Sequence, residues 1–317
     1  MNGSGTGKFA RDSERGVALI LVLGLVALVA VWAAQSASED QISLRRAENM
    51  QLATQAMLAT ESGFALGRKV LAADDASVDS LNDAWAQKAP PFPVPGGVVA
   101  GAIVDSNRYV NLNDMVDDHG KARPKSIAVV KRLFTQVGVD PALVDALVDW
   151  MDKDDHPYGA AGAEAFAYLN RPWRVKNAPL DSLRELLLVK GFDRSIVKQL
   201  RAVAVALPHR GVTAVNINTA SKRVLMSLAD SIPASDVDAM IVQRKSSPWL
   251  KVSDWSSQAP YAVWASHIPL SMVSTVSDRF IMISAAQFGR VRWEEKVLLQ
   301  RVGKVVKIVK RWKVAGS

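Results

Sequence analysis

Five acidic residues stand close together near the middle of the sequence and are its clearest candidates for a chemical site. Asp149, Asp152, Asp154 and Asp155 fall within seven residues, and Glu164 follows ten residues after Asp154. Calcium takes roughly six to eight oxygen ligands, and an Asp-x-Asp loop followed by a more distant carboxylate can supply several of them. The residue types and their spacing therefore allow a calcium-binding loop.

The same loop does not follow the EF-hand pattern. Counted from Asp152 as the first position, His156 and Pro157 stand where an EF-hand has an oxygen ligand and a glycine, and Glu164 falls one position too late. From the residues alone, two interpretations stay open. The loop is either a calcium loop of another kind, or a solvated acidic loop that ends a helix and pairs partly with Lys153.

Motifs for catalysis are missing from the sequence. It contains no cysteine, which excludes disulfides, thiolate metal sites and cysteine nucleophiles. None of its four histidines stands in a nucleophile motif such as G-x-S-x-G, and neither a Walker loop nor a dinucleotide fingerprint is present. We therefore predict that the protein is not an enzyme.

A strongly apolar segment lies near the N-terminus of the sequence. Residues 17–34 are eighteen consecutive residues without a charge, and a helix of that length spans about 27 Å, enough to cross the hydrocarbon core of a bilayer. Basic residues precede this segment, and Glu39 and Asp40 follow it. The positive-inside rule therefore predicts one membrane span with a cytoplasmic N-terminus.

A cleaved secretory signal is the alternative interpretation of this segment, because small residues suited to a signal peptidase follow it. Two features favour a longer helix instead. The apolar run exceeds the usual length of a signal core, and apolar residues continue at helical spacing, without a proline, to about residue 71. Residues 17–71 could thus form one helix of roughly 80 Å, half in lipid and half outside.

The rest of the sequence changes its pattern three times. Residues 73–97 contain four prolines and predict a loop, and alternating apolar residues over 97–114, with a polar turn at 105–107, predict a β-hairpin. Residues 114–272 carry short helical patterns, and residues 273–317 return to strand-like alternation. The expected fold class is α+β, with a long N-terminal helix and an antiparallel β-sheet interrupted by a large all-α insertion domain.

The start of the chain resembles a known processing site. Arg15-Gly16 directly precedes the apolar segment after a short charged leader, as in type IV prepilins and the pseudopilins of type II secretion systems. The resemblance implies that a prepilin peptidase cuts after Gly16, so that residues 1–16 are a leader and Val17 is the methylated first residue. Nearly all members of these families carry glutamate at mature position five, where this chain has Leu21.

Four further stretches resemble the K minor pseudopilins (the GspK family), which characteristically lack that glutamate. They are Val110-Asn111-Leu112-Asn113; Asp149-Trp150-Met151-Asp152-Lys153-Asp154 with Gly162-Ala163-Glu164 and Tyr168; Asn177-Ala178-Pro179-Leu180 with Lys190-Gly191; and Asn216-Ile217-Asn218-Thr219-Ala220 with Arg244, Pro248 and Trp249. The resemblance covers roughly residues 12–300, and the combination is specific although each piece is short.

This resemblance implies a pilin-like fold anchored in the inner membrane of a Gram-negative bacterium. Residues 35–72 would be the periplasmic half of the helix, and residues 73–113 a loop followed by the first strands of the sheet. Residues 114–272 would be a periplasmic insertion domain with helix-hairpin-helix-like segments, and residues 273–317 the last strands of the sheet with a basic tail. The protein would form the tip of the pseudopilus with the minor pseudopilins I and J and support export of folded proteins. The H subunit and the major pseudopilin G could be further neighbours.

The resemblance also implies two properties of individual residues. Members of the K family bind calcium in the region of the acidic loop, which would assign Asp152, Asp154 and Glu164 as ligands in this sequence. Leu21 would suit a subunit that has no preceding neighbour, because such a subunit has no foreign amine to neutralise and a lone carboxylate in lipid is costly.

A DNA-binding, membrane-anchored protein is the rival function. Residues 216–255 resemble a tandem helix-hairpin-helix module, which binds phosphates through the amides of a glycine-rich turn. The turn at 230–233 has no glycine and contains a proline, and the turn at 189–193 has one glycine followed by an acid. The chemistry that contacts phosphate is therefore absent, and we expect no nucleic-acid partner.

The distribution of the net charge of +8 along the chain also argues against a nucleic-acid partner. Residues 1–16 carry +1 and residues 290–317 carry +7, which leaves zero for residues 17–289. The basic excess belongs to the last predicted strands, where lysine and arginine alternate with valine, isoleucine and leucine. Such residues suit the solvent face and the edge of a sheet, where they also discourage strand pairing with other chains.

Overall fold

The protein is described here by a computed structural model, which covers residues 7–208 and 211–313, with side chains from residue 16 to residue 312. Its helices are α1 (Gly7–Ala73), α2 (Pro124–Gln136), α3 (Leu143–Met151), α4 (Arg194–Leu200), α5 (Lys222–Ser227), α6 (Ala234–Ser246), α7 (Val252–Ser256) and α8 (Ala262–Ala265). Its strands are β1 (Phe92–Val94), β2 (Gly97–Asp105), β3 (Val110–Asn111), β4 (Ala204–Val205), β5 (Val215–Asn216), β6 (Val273–Ser274), β7 (Arg279–Phe288), β8 (Val291–Val302) and β9 (Val305–Lys313). Short 3-10 turns lie at Ala84–Ala86, Leu112–Met115, Ala165–Tyr168, Leu183–Leu188 and Leu270–Met272.

The predicted long helix is confirmed as α1, which is 67 residues long. From Gly16 onward it is long and apolar enough to cross a membrane, and the side chains of the apolar stretch are exposed throughout. Of the predicted leader, residues 7–16 belong to α1, whereas residues 1–6 and the side chains before residue 16 lie outside what the structure describes.

The second half of α1 packs on a five-stranded antiparallel sheet with the strand order β1-β2-β7-β8-β9. Phe64 and Leu71 are buried from α1 against Phe280 and Met282 of β7. The helix lies so close to β7 that a Cβ atom at Gly63 would collide with the Ser284 hydroxyl group. The predicted α+β fold class is thereby confirmed, with the helix on one face of the sheet.

Both edges of this sheet are poorly suited to pairing with another strand. The edge strand β1 has only three residues, and its middle residue is Pro93, which has no N–H group. The opposite edge strand, β9, is interrupted by a β-bulge opposite Leu298 and Leu299 and carries lysines at 307 and 310.

The insertion domain leaves the sheet after β2 and returns at β7, two strands that are paired with Asp105 opposite Phe280. The hairpin predicted over residues 97–114 is therefore wrong. The supposed turn at 105–107 is a buried segment that crosses from the sheet to the insertion domain. The backbone N–H of Asn107 donates to Asp105 at 2.7 Å, and the Asn107 side chain accepts from the backbone N–H of Arg279 at 3.2 Å. The actual hairpin lies one strand earlier, between β1 and β2, and its first strand and its turn lie within residues predicted as a loop.

The regular elements of the insertion domain are mainly helices, as predicted, but they include two short parallel strand pairs that the prediction missed. Strand β3 pairs with β4, and β5 pairs with β6. After β3, the Asn113 side chain binds both the N–H and the C=O of Leu180; after β5, Asn218 does the same to Trp249. The two Asn-x-Asn segments thus open two similarly built halves of the domain.

The insertion domain lies at the end of the sheet that is far from the apolar span. The contacts of α1 show its direction along the sheet: Leu52 lies near Gly289, and Gly67 lies near Met282. Asp74, directly after the helix, reaches Arg301, so the helix ends where β2 enters the insertion. About 39 residues of α1 separate residue 34 from Ala73, a distance of about 58 Å along the helix axis. The fold therefore holds the acidic loop well away from the membrane-like segment.

Candidate metal centre

Helix α3 positions the acidic loop. Asp145 and Asp149 lie one turn apart on it and therefore face the same way. The Asp149 carboxylate accepts from the backbone N–H of Tyr158 at 2.7 Å and from that of Ala163, and Asp145 accepts from the Ala161 N–H at 3.3 Å. These bonds tie the loop of residues 157–163 to the end of α3.

Two glycines allow the loop to lie so close to these carboxylates. At Gly162, a Cβ atom would come within 2.6 Å of an Asp149 oxygen. Gly159 has a φ of +65°, which disfavours other residues, and a Cβ atom there would collide with the Asp145 carboxylate. The loop backbone can therefore surround the acidic side chains only because these positions lack side chains.

Three carboxylates meet inside this arrangement. One oxygen from each of Asp149, Asp152 and Glu164 lies within 4.8 Å of the other two, and the three residues are 0%, 3% and 7% exposed. Among the described residues, Oδ1 of Asp152 and both carboxylate oxygens of Glu164 have no hydrogen-bond partner. Buried oxygen atoms without a donor are costly unless a cation or a proton occupies the space between them.

The pKa values of Asp152 and Glu164 agree with the need for a cation or a proton between these carboxylates. Burial, followed by repulsion from the carboxylates of Asp154, Asp149 and Glu164, raises the pKa of Asp152 to about 7. Burial, followed by repulsion from Asp149 and Asp155, likewise raises the pKa of Glu164 to about 7. Converging oxygen ligands without a lysine or arginine among them suit a hard divalent cation such as Ca²⁺.

The predicted ligand set is brought together only in part. Asp152 and Glu164 lie in the cluster, whereas Asp154 points to solvent, with 63% of its side chain exposed, and accepts from the His156 backbone N–H at 2.9 Å. Asp149 takes the third place. Its position three residues before Asp152, at the end of a helix, is the signal that could have identified it.

A second group of carboxylates does not form a comparable site. Oxygen atoms of Asp74, Asp79 and Asp83 also lie within 4.8 Å of one another. Here the Arg301 guanidinium pairs with two of the three carboxylates, at 3.1 Å from Asp74 and 2.5 Å from Asp79. The group is therefore a buried ion pair that joins α1, the loop after it and β8.

The three residues singled out near the N-terminus lie on α1. Gly16 has no other atom within 4 Å of a Cβ built there, and Val17 and Leu21 are 58% and 68% exposed. Their surroundings are thus open along the apolar stretch, which within the described residues touches no other part of the chain. This exposure is compatible with lipid or with helices of other subunits.

The helix-hairpin-helix-like turn between α5 and α6 is not built to hold a phosphate. Asp230 stands at this turn and its carboxylate pairs with Arg132 at 3.1 Å. An exposed acid at this turn disfavours a bound phosphate, in addition to the missing glycine and the proline noted in the sequence.

Known proteins resemble this chain over most of its length. Family models described as type II secretion system protein K match residues 109–209 and 215–263. Type II secretion system protein K of Klebsiella pneumoniae is 28% identical over 323 residues, 94% of this chain and 96% of that protein. The protein of the same name from Pseudomonas aeruginosa is 32% identical over 238 residues, 70% of each chain.

A solved structure has the same fold. A chain from the GspK–GspI–GspJ complex of the type 2 secretion system of enterotoxigenic Escherichia coli superposes with a TM-score of 0.75. The match covers 86% of this chain and all of that chain at 22% identity. This chain therefore shares the fold of that structure over most of its length.

Proposed function

Because this chain belongs to the type II secretion system protein K family, a family of minor pseudopilins, we propose that it forms the tip of a periplasmic pseudopilus that supports export of folded proteins. The arrangement of α1 and the insertion domain is the observation that carries this proposal. An apolar helix available to neighbouring subunits ends beneath a large domain, and a further subunit could not be added above that domain. In this role the chain is a structural component and not a catalyst.

The proposed location is the inner membrane, with the N-terminus in the cytoplasm and everything after the span in the periplasm. The exposed apolar stretch of α1 supports an anchor, and the basic residues before it, with Glu39 and Asp40 after it, support this orientation.

The proposed partners are the minor pseudopilins I and J. Two observations support them: the solved chain of the same fold comes from a complex with those subunits, and the face of α1 turned away from the sheet carries the exposed residues Leu44, Leu58 and Leu66. Apolar residues on an unpartnered helix face are suited to packing against another helix. The H and G pseudopilins would then be neighbours further down the pseudopilus.

Calcium is the cation that we propose for the acidic loop. Asp152 and Glu164 would hold it, together with Asp149, and the family resemblance adds Asp154. The bound ion would supply the positive charge that the buried carboxylates lack. The unpartnered oxygens of Asp152 and Glu164 support this assignment.

The processing proposal gives the sharpest test of the whole assignment. We expect N-terminal sequencing of the mature protein to begin at Val17, and Gly16→Ala to leave the leader attached, because the peptidase is proposed to cut after that glycine. Gly24→Ala is the matched control, since both glycines are open to a Cβ atom.

Each other outcome has a defined meaning. A mature start near Ser38 would indicate an ordinary exported protein, and an intact leader in the unmodified chain would indicate a plain membrane anchor. A Gly16→Ala protein that still ran at mature size would contradict the assignment.

A further inference from the structure

Helix α4 and the residue that follows it carry a stripe of basic side chains. Arg194, Lys198 and Arg201 stand at positions i, i+4 and i+7, so they lie on one side of the helix, and all three are exposed. Val197 and Leu200 are buried in the domain. Among the described residues, none of the three basic side chains forms an ion pair.

Two lysines of the last strands lie against one tryptophan. Lys296 of β8 stands directly opposite Trp312 of β9, and its ammonium group lies 5.6 Å from the centre of the Trp312 ring. Lys310, two residues earlier on the same face of β9, has its ammonium group 5.6 Å from the centre of that ring as well. Because Trp312 packs against a buried cluster that includes Val205 and Leu298, both lysines are held around a fixed side chain.

Two contacts join the α4 stripe to these lysines. Val205 belongs to β4, which follows α4 closely in the chain, and it packs with Leu298 of β8. Burial, followed by repulsion from Arg201, lowers the pKa of Lys296, so these two cations lie near each other. The basic residues therefore form one surface across the junction of the insertion domain and the sheet. We call it the α4 basic surface, and its members are Arg194, Lys198, Arg201, Lys296 and Lys310.

The acids that approach this surface from the insertion domain have a cation of their own. Asp181 pairs with Lys176 at 2.8 Å, and Glu185 pairs with the same lysine at 2.9 Å. Lys310 donates to the backbone carbonyl of Asp181 at 2.9 Å and not to its carboxylate. These two acids and their shared lysine reduce the charge of the surface by one unit.

The acids nearest in sequence reduce that charge little further. Glu294, on the face of β8 that carries the lysine, pairs with Arg292 at 2.5 Å, and Glu295 belongs to the opposite face, where it pairs with Arg311 at 3.5 Å. Asp193 caps the first turn of α4, at the end of the helix far from β8. With all of these groups on the same side counted, seven basic and four acidic residues leave a net charge of +3.

The extent and the position of the α4 basic surface indicate which anion it suits. Its stripe on α4 alone is about 10 Å long, which exceeds a single small ion. Asn49 of α1 bonds to Arg290, directly before β8, and lies about 22 Å along the helix from residue 34. Lys296 lies further along the sheet, so the charges of the bilayer around α1 are more than a Debye length of about 10 Å away. In the proposed periplasmic location, on which this step rests, carboxylates of a protein are the remaining extended anion.

We propose that the α4 basic surface binds an acidic segment of another protein. Carboxylates of that segment would pair with the exposed stripe on α4 and with the two lysines beside Trp312, and the tryptophan would supply apolar contact among them. Charge pairs of this kind increase the rate and the selectivity of association. The contact goes beyond the assembly of the tip through α1, because it uses neither that helix nor the face of the sheet that the helix covers.

The test measures binding of a fluorescently labelled oligoglutamate peptide to the full chain in detergent, by fluorescence anisotropy. Lys198→Glu with Arg201→Glu reverses the charge on α4, and Lys296→Gln with Lys310→Gln neutralises the part on the strands. The matched control is Lys245→Glu with Lys251→Glu, since these lysines of the insertion domain are exposed and the pair changes the net charge as much as the α4 variant does. The melting temperature of each variant checks its folding.

We expect the peptide to bind the unmodified chain, with an affinity that falls as salt is added. Each surface variant should raise the Kd by about tenfold or more, and the control by less than about twofold. No binding to the unmodified chain, or equal effects of the α4 variant and the control, would overturn the proposal. Labelled oligothymidylate or vesicles of anionic lipid that bind more tightly than oligoglutamate would also overturn it, because the surface would then belong to nucleic acid or to a membrane.

This result and the proposed function can fail separately. The binding measurement requires neither cleavage of the leader nor export, so a failure to bind oligoglutamate leaves the pseudopilus assignment as it stands. A mature chain that does not begin at Val17 would contradict that assignment and leave the measured binding unchanged.

Discussion

Asp149, Asp152 and Glu164 illustrate how residues of similar type acquire different roles. Both carboxylate oxygens of Asp149 accept hydrogen bonds from backbone N–H groups of its own loop. Asp152 and Glu164, by contrast, have oxygen atoms that accept no hydrogen bond. The first residue therefore organises the loop, and the other two provide unmet negative charge at its centre. Substitution of Asp149 should therefore disturb the loop itself, whereas substitution of Asp152 or Glu164 should mainly reduce cation binding.

Calcium should stabilise the full chain, and Asp152→Asn should remove most of that effect. A ligand at a hundred times its dissociation constant adds about 2.7 kcal/mol to the free energy of unfolding, which raises the melting temperature. We expect that rise for the unmodified protein in detergent, monitored by tryptophan fluorescence with calcium and then with chelator. In Asp152→Asn a buried oxygen ligand and its charge are lost, so the rise should nearly vanish.

Two further variants make this measurement selective. Asp254→Asn, at an exposed residue distant in sequence from the loop, should retain the full calcium effect. Asp154→Asn should retain part of it, because its carboxylate is largely exposed and accepts a local bond from His156. A melting temperature that does not change between calcium and chelator in the unmodified chain would contradict the calcium assignment.

The spacing of acids in the sequence left two interpretations of the loop open, and the family resemblance assigned Asp152, Asp154 and Glu164 as ligands without Asp149. An Asp-x-Asp pattern describes a loop, and α3 continues to Met151, so Asp149 belongs to the helix that faces the loop. Whether a carboxylate points inward or to solvent depends on contacts that are distant in sequence. For this reason Asp154 was included and Asp149 was not.

At the scale of elements, the contact between α1 and β7 sets the position of the helix on the sheet. Gly63 permits the close approach to Ser284, and Phe64 and Leu71 fill the space beside it. Periodicity predicted this helix well because it is long, has no proline, and carries apolar residues that recur at helical spacing. The sheet-facing glycines carry no such signal, since a glycine is equally common in exposed positions.

Gly63→Val should destabilise the packing of α1 on the sheet by about 1–3 kcal/mol, the usual cost of adding side-chain volume to a filled interface. Ala65→Val introduces the same side chain two residues away on the exposed face and should change the free energy of unfolding by less than about 0.5 kcal/mol. Urea unfolding of the full chain in detergent measures both. Equal effects of the two variants would show that the close contact does not exist in solution.

The misplaced hairpin shows what local sequence leaves undetermined. Asp-Ser-Asn at 105–107 has the composition of a surface turn. In the fold the three residues are buried, and their polar groups bind the start of β7 and the insertion domain, as when the Asp105 carboxylate accepts from the Thr219 hydroxyl at 2.5 Å. A polar segment that is satisfied by distant partners cannot be distinguished from a turn without knowing those partners.

At the scale of the whole molecule, the ion pair around Arg301 joins the parts of the fold. The Arg301 side chain links β8 to Asp74, directly after α1, and to Asp79 in the following loop. It also donates to the carbonyl of Ser277, just before β7. The basic excess of the last strands is therefore partly internal. Arg311 likewise pairs with Glu61 of α1.

Arg301→Met should destabilise the full chain by about 3–5 kcal/mol, because it leaves buried carboxylates without a cation. Arg292→Met removes an exposed arginine of the same strand that pairs with Glu294 at 2.5 Å, and it should cost less than about 1 kcal/mol. Chemical unfolding and limited proteolysis near residues 74–79 would both report the difference. Similar stabilities of the two variants would contradict the role assigned to this junction.

The edges of the sheet have a consequence for how such a subunit joins and leaves a fibre. A three-residue edge with Pro93 on one side, and a bulged, lysine-bearing edge on the other, cannot extend a backbone ladder into a neighbour. Contacts between subunits must then rest on side chains of the helices and not on continuous strand pairing. A contact made by helix side chains can be released without breaking a continuous ladder of backbone hydrogen bonds.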